Sequence, residues 1–397
     1  MPKVSIVLPV YNGEDCLEET LSSILNQTLV DFELICVDDG STDSAPDILA
    51  KAASQDSRIN VIHQENGGPG TARNNGLDHA TGDYVCMLDA DDIYSLSMLE
   101  TMYSRAVDTQ ADIVVCGSTN FDDKTGEELE SQWAVKENQL PKADTFSPEE
   151  IKDFVFTAFM GWPWDKLYKR SFIEENGLRY PPLQNSEDLY LVFLATAKAS
   201  VISVVNEELI RHRTNRSGSV SSTRAKAPLD FYKSICLLKD ALKADPELYE
   251  RYSWCFFNWA FEYLIWNIQT MTDQGARKIQ LRALANGDYP EIELNKHAGA
   301  YFALNPAHYD EYLELLCEAY GLEMPKPKLG FLQRLGGFLI RAGESGLFKT
   351  IGKFFGKRLF HNKPATEPKP TIVRSSGYLV SSKEDLIDYL AILNGEK

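Results

Sequence analysis

Paired cysteines are missing from this chain. Its seven cysteines, at positions 16, 36, 86, 116, 236, 255 and 317, are scattered and odd in number, with no Cys-x-x-Cys among them. That excludes a disulfide framework and a thiolate zinc site, and points to a reducing cytosol. Positive charge is scarce as well, with 40 Lys and Arg against 58 Asp and Glu and a net charge of −18. No nucleic-acid partner is expected, because such binding needs a basic footprint. Long apolar runs are absent. Val4-Ser5-Ile6-Val7-Leu8 is too short for a secretory leader and ends at a proline. The window 254–268 is short and holds Asn258, Glu262 and Asn267, which disqualifies it as a membrane span. The expectation is a cytoplasmic protein, soluble or peripheral on the inner face of the cell membrane. No internal repeat is visible. The 397 residues, 44% of them hydrophobic, suffice for two domains and an appendage.

What is present is a pair of acidic clusters, each following an apolar, β-branched run. Phe32-Glu33-Leu34-Ile35-Cys36-Val37 leads into Asp38-Asp39-Gly40-Ser41-Thr42-Asp43, and Tyr84-Val85-Cys86-Met87-Leu88 leads into Asp89-Ala90-Asp91-Asp92. Short apolar runs bounded by turn residues read as buried parallel strands, which puts both clusters at the carboxyl edge where open α/β sheets bind ligands. Carboxylates crowded there repel one another and call for a cation. Hard oxygen ligands suit Mg²⁺ or Mn²⁺, and those ions suit a diphosphate. Along an extended segment, residues two apart share a side, so Asp89 and Asp91 converge past the small Ala90.

From position 4 to about 117, strands and helices alternate. Strands are expected at 4–8, 32–37, 59–63, 84–88 and 113–116, and helices at 14–26, 45–54, 71–79 and 96–107. The first helix carries Leu17, Leu21, Ile24 and Leu25 on one face. Such alternation implies an α/β fold with a mainly parallel sheet flanked by helices. Residues 122–148 read as irregular. A helix opens at Asn185-Ser186-Glu187-Asp188, and 201–205 with 208–212 read as a strand pair. From 230 to about 320 the chain is helix-rich and aromatic.

Four motifs in order, Val4-Ser5-Ile6-Val7-Leu8-Pro9-Val10-Tyr11-Asn12, Val37-Asp38-Asp39-Gly40-Ser41-Thr42-Asp43, Asn66-Gly67-Gly68-Pro69-Gly70-Thr71-Ala72-Arg73-Asn74 and Asp89-Ala90-Asp91-Asp92, resemble those of family 2 glycosyltransferases. The resemblance is strong over 3–120, weaker to about 222, and silent beyond. It implies a GT-A fold in residues 1–222, with a nucleotide-sugar half at 1–117 and an acceptor half at 118–222. A helical accessory domain at 223–324 would follow, then a basic amphipathic segment at 325–363, then a linker and short terminal helix at 364–397.

It also implies roles. Pro9, Tyr11, Asn12 and Glu14 would line the nucleotide site, and Asp38, beside Asp39, would receive the base N–H. Arg73 would stand near the donor phosphates, at a glycine turn whose N–H groups suit an anion. In the Asp89-Ala90-Asp91 motif, Asp91 would ligate the metal and Asp89 the ribose or a metal-bound water, with His212 a candidate third ligand. Trp162, Trp164, Asp165, Lys166 and Glu187 would form the acceptor side, with Asp188 as catalytic base. Arg216-Ser217-Gly218-Ser219 resembles a loop that folds over the donor. The implied reaction is metal-dependent, inverting transfer of a sugar from a nucleotide-diphosphate donor, UDP-sugar first among the expectations, to a hydroxyl of a glycan or lipid-linked saccharide. The missing Gln-x-x-Arg-Trp motif argues against a processive synthase.

Two rivals remain. A sugar nucleotidyltransferase would need a glycine-rich basic loop after the first strand, where Val10-Tyr11-Asn12-Gly13-Glu14-Asp15 stands. A non-catalytic binding or scaffold protein would have no use for Asp38, Asp91 and Asp188 together. The tail is a separate matter. Between 326 and 363 nine Lys and Arg face a single Glu344, alongside six Phe. Such a stretch suits an anionic membrane surface, or docking on the acidic body or on a second copy in a homo-oligomer.

Overall fold

The computed structural model describes residues 1–129, 134–216, 224–292 and 306–323, together with Lys383, Leu386, Ile387 and Leu390. The basic stretch 326–363 and the linker after it lie outside the described residues, apart from those last four positions. So do Ser217-Gly218-Ser219.

Strands β1 (Val4–Val10), β2 (Phe32–Asp38) and β4 (Tyr84–Met87) are buried at nearly every position. This is why their sequences run continuously apolar rather than alternating. With β3 (Ile59–His63) they form a parallel array in the order β3-β2-β1-β4. The chain runs outward from β1 to β3 and then returns to β4 on the other side of β1. That reversal opens a crevice at the carboxyl ends of β1 and β4. Asp38 ends β2 beside it, and Asp89 to Asp92 follow β4.

The helices α1 (Leu17–Leu25), α2 (Ala45–Gln55) and α3 (Pro69–His79) cover this array, and α4 (Met98–Thr109) packs mainly on the strands that extend it beyond β4. In α1, Leu17, Leu21 and Ile24 are buried and Leu25 packs at the edge of the core, the face read from the sequence. In α3, a Cβ at Gly76 would drive into the Val7 side chain, so glycine lets this helix lie close on β1.

Beyond β4 the sheet becomes mixed. Strands β5 (Ile93–Tyr94), β6 (Ile113–Asp122), β9 (Lys166–Lys169) and β10 (Ile202–Thr214) extend it as β4-β9-β6-β10-β5. Short β7 (Glu128–Leu129) and β8 (Thr145–Phe146) pair with β6 and β10, which gives order to parts of the stretch read as irregular. Two expectations change here. The strand pair at 201–212 is one strand, β10, parallel to β6 with register shifts between Val205 and Ile210. Asn206 and Glu207, which separate the two expected strands, lie in a bulge that carries the chain through. Strand β9 is inserted antiparallel between β4 and β6, and its lysines hid it from a hydrophobic pattern.

Helices α5 (Arg170–Glu175) and α6 (Glu187–Lys198) follow β9 and precede β10. Then α7 (Asp230–Ala244) and α8 (Pro246–Gln269) pack against α6. The Asp245 carboxylate caps α8 by accepting from Glu247 N at 3.1 Å and Leu248 N at 3.2 Å. The apolar window in α8 is core, and its buried Asn267 accepts from Gln280 Nε2 at 2.8 Å. All of this belongs to one compact unit, residues 1–280 with 289–294. A second unit comprises 281–288 with 295–397, and in it Tyr320, ending α10 (Pro306–Tyr320), donates to Ala285 O at 2.8 Å. Helix α9 (Gln274–Asn286) runs across the division between them. Among the described residues no helix is long and apolar enough to cross a membrane.

Candidate active site

The loop after β1 and the loop after β2 are clasped to each other. Asp39 N donates to Val10 O at 2.8 Å. Asn12, at a left-handed φ of 50°, donates from its N–H to Ser41 Oγ at 3.1 Å and accepts from Thr42 N at 2.8 Å. Glu14 accepts from Ser44 N at 3.0 Å and from Ser44 Oγ, while its own N–H donates to Asp43. The Ser44 bonds hold the Glu14 carboxyl below its ordinary range. Glu14 therefore fastens the rim. Pro9 is half-buried beneath, and Tyr11 stands 53% exposed.

Asp38 and Asp39 are both buried. Asp38 accepts from Ser41 N at 3.0 Å and pairs with His63 Nδ1 at 2.9 Å. Burial pushes its carboxyl up, but the bonds from Ser41 and His63 outweigh burial and hold it low. Asp39 accepts from Gly67 N at 2.8 Å, Gly68 N at 2.9 Å and Gln64 Nε2 at 2.8 Å. Two N–H groups of the glycine turn, expected to meet a ligand's anion, thus hold Asp39 instead.

Arg73 is buried, with its guanidinium held between two carboxylates. Nη2 donates to Asp89 Oδ1 at 2.8 Å, Nη1 donates to Glu187 Oε1 at 2.7 Å, and the Tyr180 ring lies 5.4 Å from its centre. Burial disfavours the charge, yet Asp89, Tyr180 and Glu187 outweigh it and keep Arg73 protonated. Glu187 and Asp188 open α6 behind Ser186, which sits at φ 59°. A Cβ at Gly70 would lie 2.9 Å from Glu187 Cγ and 3.0 Å from Pro181 O, so glycine there lets α3 approach the start of α6. Burial, then the Glu187 charge, pushes the half-buried Asp188 carboxyl up to about 7, against the pull of Arg73. A carboxylate so placed exchanges a proton near neutrality.

Carboxylate oxygens of Asp89, Asp91 and Asp92 lie within 4.8 Å of one another. Thr20 Oγ1 fixes this loop by donating to Ala90 O and Asp92 O, and Tyr94 OH donates to Asp89 O while accepting from Asp89 N. Asp92 is fully buried and holds His212 Nδ1 at 3.0 Å and Arg213 N at 2.9 Å. Burial works against a charge on His212, but Asp92 and its neighbours push the imidazole up to about 9. In this arrangement His212 Nδ1 serves as the counter-ion of Asp92. The neighbouring Asp89 and Asp91 make a hard-oxygen pair suited to Mg²⁺ or Mn²⁺.

The His212 ring stacks on Trp164 at 4.9 Å, and Trp164 stacks on Trp162 at 4.5 Å. Beneath them Asp165 and Lys166 are wholly buried. Lys166 Nζ donates to Asp165 Oδ1 at 2.6 Å, Trp162 O at 2.8 Å and Met160 O at 3.0 Å. This pair holds the tryptophan segment from below. Sequence reasoning missed Thr20, Tyr94 and Tyr180, which carry no motif, and missed that Asp92 serves His212.

The family model "Glycosyl transferase family 2" matches residues 5–177. GlyG, a glycosyltransferase of Streptococcus pneumoniae, is 34% identical over 229 residues, covering 55% of this chain and 73% of GlyG. The chain belongs to glycosyl transferase family 2. EpsH of Bacillus subtilis is similar to this family 2 chain at 36% identity over 229 residues, 57% of this chain. That match spans 64% of EpsH, less than two thirds of its length. Residues 1–349 of TarS from Staphylococcus aureus, solved in complex with UDP-GlcNAc, share the fold at a TM-score of 0.60 and 20% identity, covering 81% of this chain and 93% of that one. The family 2 chain thus has the GT-A fold, a mainly parallel sheet flanked by helices.

Proposed function

We propose that this chain transfers a sugar, with inversion, from a UDP-sugar to a hydroxyl of a glycan or lipid-linked saccharide. The observation that carries this reading is the buried guanidinium of Arg73. It ties Asp89 of the acidic motif to Glu187, the neighbour of a carboxylate poised near neutrality. Asp38 holds the base, with Pro9, Tyr11 and Asn12 around it. Asp89 and Asp91 would hold Mn²⁺ or Mg²⁺, and that ion, when bound, would neutralise charge on the departing diphosphate. Asp188 takes the proton of the acceptor hydroxyl, which attacks the anomeric carbon opposite the leaving group. A positioned base contributes ~10²–10⁴-fold. Trp162 and Trp164 offer an aromatic face of the kind sugar rings pack on, held by Asp165 and Lys166. TarS, as its complex is described, binds UDP and UDP-GlcNAc, which supports a uridine donor. The reading extends to the tail only on its sequence, as a basic segment that engages an anionic membrane surface.

The test is nucleotide release from a panel of UDP-, dTDP-, GDP- and CDP-sugars with Mn²⁺, with and without a polyprenyl-linked saccharide. Release confined to UDP-sugars, and lost in Asp91→Ala, supports the reading. A scaffold protein would bind donor and release nothing with any acceptor. A nucleotidyltransferase would form UDP-sugar from UTP and sugar phosphate.

A further inference from the structure

Arg216 Nε donates to Asp91 Oδ2 at 3.1 Å, and both side chains are largely buried. This is the one side-chain hydrogen bond that Arg216 makes among the described residues. Neighbouring Arg213 is differently committed, donating to Asp91 O at 2.8 Å, Asp123 at 2.7 Å and Glu19 at 2.6 Å. Asp92 is held by His212 and the Arg213 N–H, and Asp89 Oδ1 by Arg73. Asp91 is thus the carboxylate of the cluster whose side-chain partner, among the described residues, is a cation held through Nε alone.

A guanidinium and a divalent ion on one half-buried carboxylate repel each other strongly, because the site screens poorly. We propose that Arg216 is a built-in competitor of the divalent cation at Asp91, displaced when a nucleoside diphosphate offers it a better anion. Diphosphate oxygens match the planar fork of an arginine, whereas its bond to Asp91 uses Nε alone. Arg216 moving to the donor leaves Asp91 to the metal, so metal and donor load together and the ion binds weakly to the empty enzyme. By linkage, the factor by which UDP tightens the metal equals the factor by which the metal tightens UDP. This inference rests on reading Asp89 and Asp91 as a metal site.

Calorimetric titration of the full chain with Mn²⁺, with and without UDP, tests it in wild type, Arg216→Gln and Arg216→Lys. Removing one like charge from the site should tighten Mn²⁺ alone by about tenfold or more in Arg216→Gln. The gain in Mn²⁺ affinity caused by UDP should shrink in that variant. Arg216→Lys keeps the charge and should bind Mn²⁺ as wild type does. Mn²⁺ affinity that is unchanged or weaker in a folded Arg216→Gln protein overturns the competition alone. Failure of Mn²⁺ to bind wild type even with UDP removes the metal site and the competition together.

Discussion

Arg73 Nη1 donates to Glu187 Oε1 at 2.7 Å, although 114 residues of sequence separate them. The same guanidinium holds Asp89, so one buried cation joins the acidic loop after β4 to the start of α6. The two segments are thereby fixed relative to each other by charge as well as by packing.

Removing that cation should be costly. Arg73→Ala leaves Asp89 and Glu187 uncompensated, and breaking a buried pair in this way costs ~3–5 kcal/mol. Arg73→Lys keeps the charge, but a single ammonium cannot fork to both acids, so an intermediate loss is expected. Urea denaturation measures both. An Arg73→Ala protein within 1 kcal/mol of wild type (roughly the worth of a surface pair) would show the bridge to be unimportant.

Asp188 should declare itself in pH dependence. Its carboxyl stands at about 7, so the base form is lost as pH falls through that value. Transfer should decline by roughly tenfold per pH unit below it. Asp188→Asn should lose ~10²–10⁴-fold in turnover and keep UDP affinity. The sign for stability is the reverse of the usual acid. The folded state holds this proton more tightly than the unfolded chain, so Asp188 lowers stability progressively from pH 4 to above 7. Asp188→Asn should therefore melt higher than wild type at pH 8, with the advantage fading by pH 5. A flat melting difference across that range would mean the carboxyl titrates normally.

Much of the fold of residues 1–117 was legible because its central strands are buried on both faces and its helices carry one apolar stripe. The 32–37 strand and the α1 face came directly from that pattern. Glu187 and Asp188 were legible as a pair, but the Arg73 bridge was not, since no local signal couples residues so far apart. Strand β9 was hidden for a related reason. Lys166 reads as exposed until Asp165 and two carbonyls are seen to absorb its charge. Strand β10 was read as two strands because the exposed Asn206 and Glu207 interrupt its period at the bulge.

Gly70→Ala sets two effects against each other. Alanine improves a helix by up to ~1 kcal/mol over glycine. Against that, the new Cβ meets Glu187 Cγ at 2.9 Å and Pro181 O at 3.0 Å, and overpacking of this kind costs ~1–3 kcal/mol. Because a backbone oxygen cannot swing away, the clash should win. The variant should melt lower and transfer more slowly, since Glu187 and Asp188 are displaced together. Higher stability with full turnover would show that α6 can yield.

The Asp165–Lys166 pair admits a double-mutant cycle. Lys166→Met strands a fully buried carboxylate, at ~3–5 kcal/mol if Asp165 stays ionised. Burial already pushes the Asp165 carboxyl up, so protonation should soften that loss as pH falls. Adding Asp165→Leu removes the stranded acid and should recover part of the loss. Recovery stays incomplete, because Met160 O and Trp162 O still lack the donor that Lys166 supplied, at ~1–3 kcal/mol in total. The Trp162 loop should then drift from Trp164, weakening the near-ultraviolet circular dichroism of rings stacked at 4.5 Å. Additive single-mutant losses with an unchanged aromatic spectrum would show that the buried pair does not position the tryptophans.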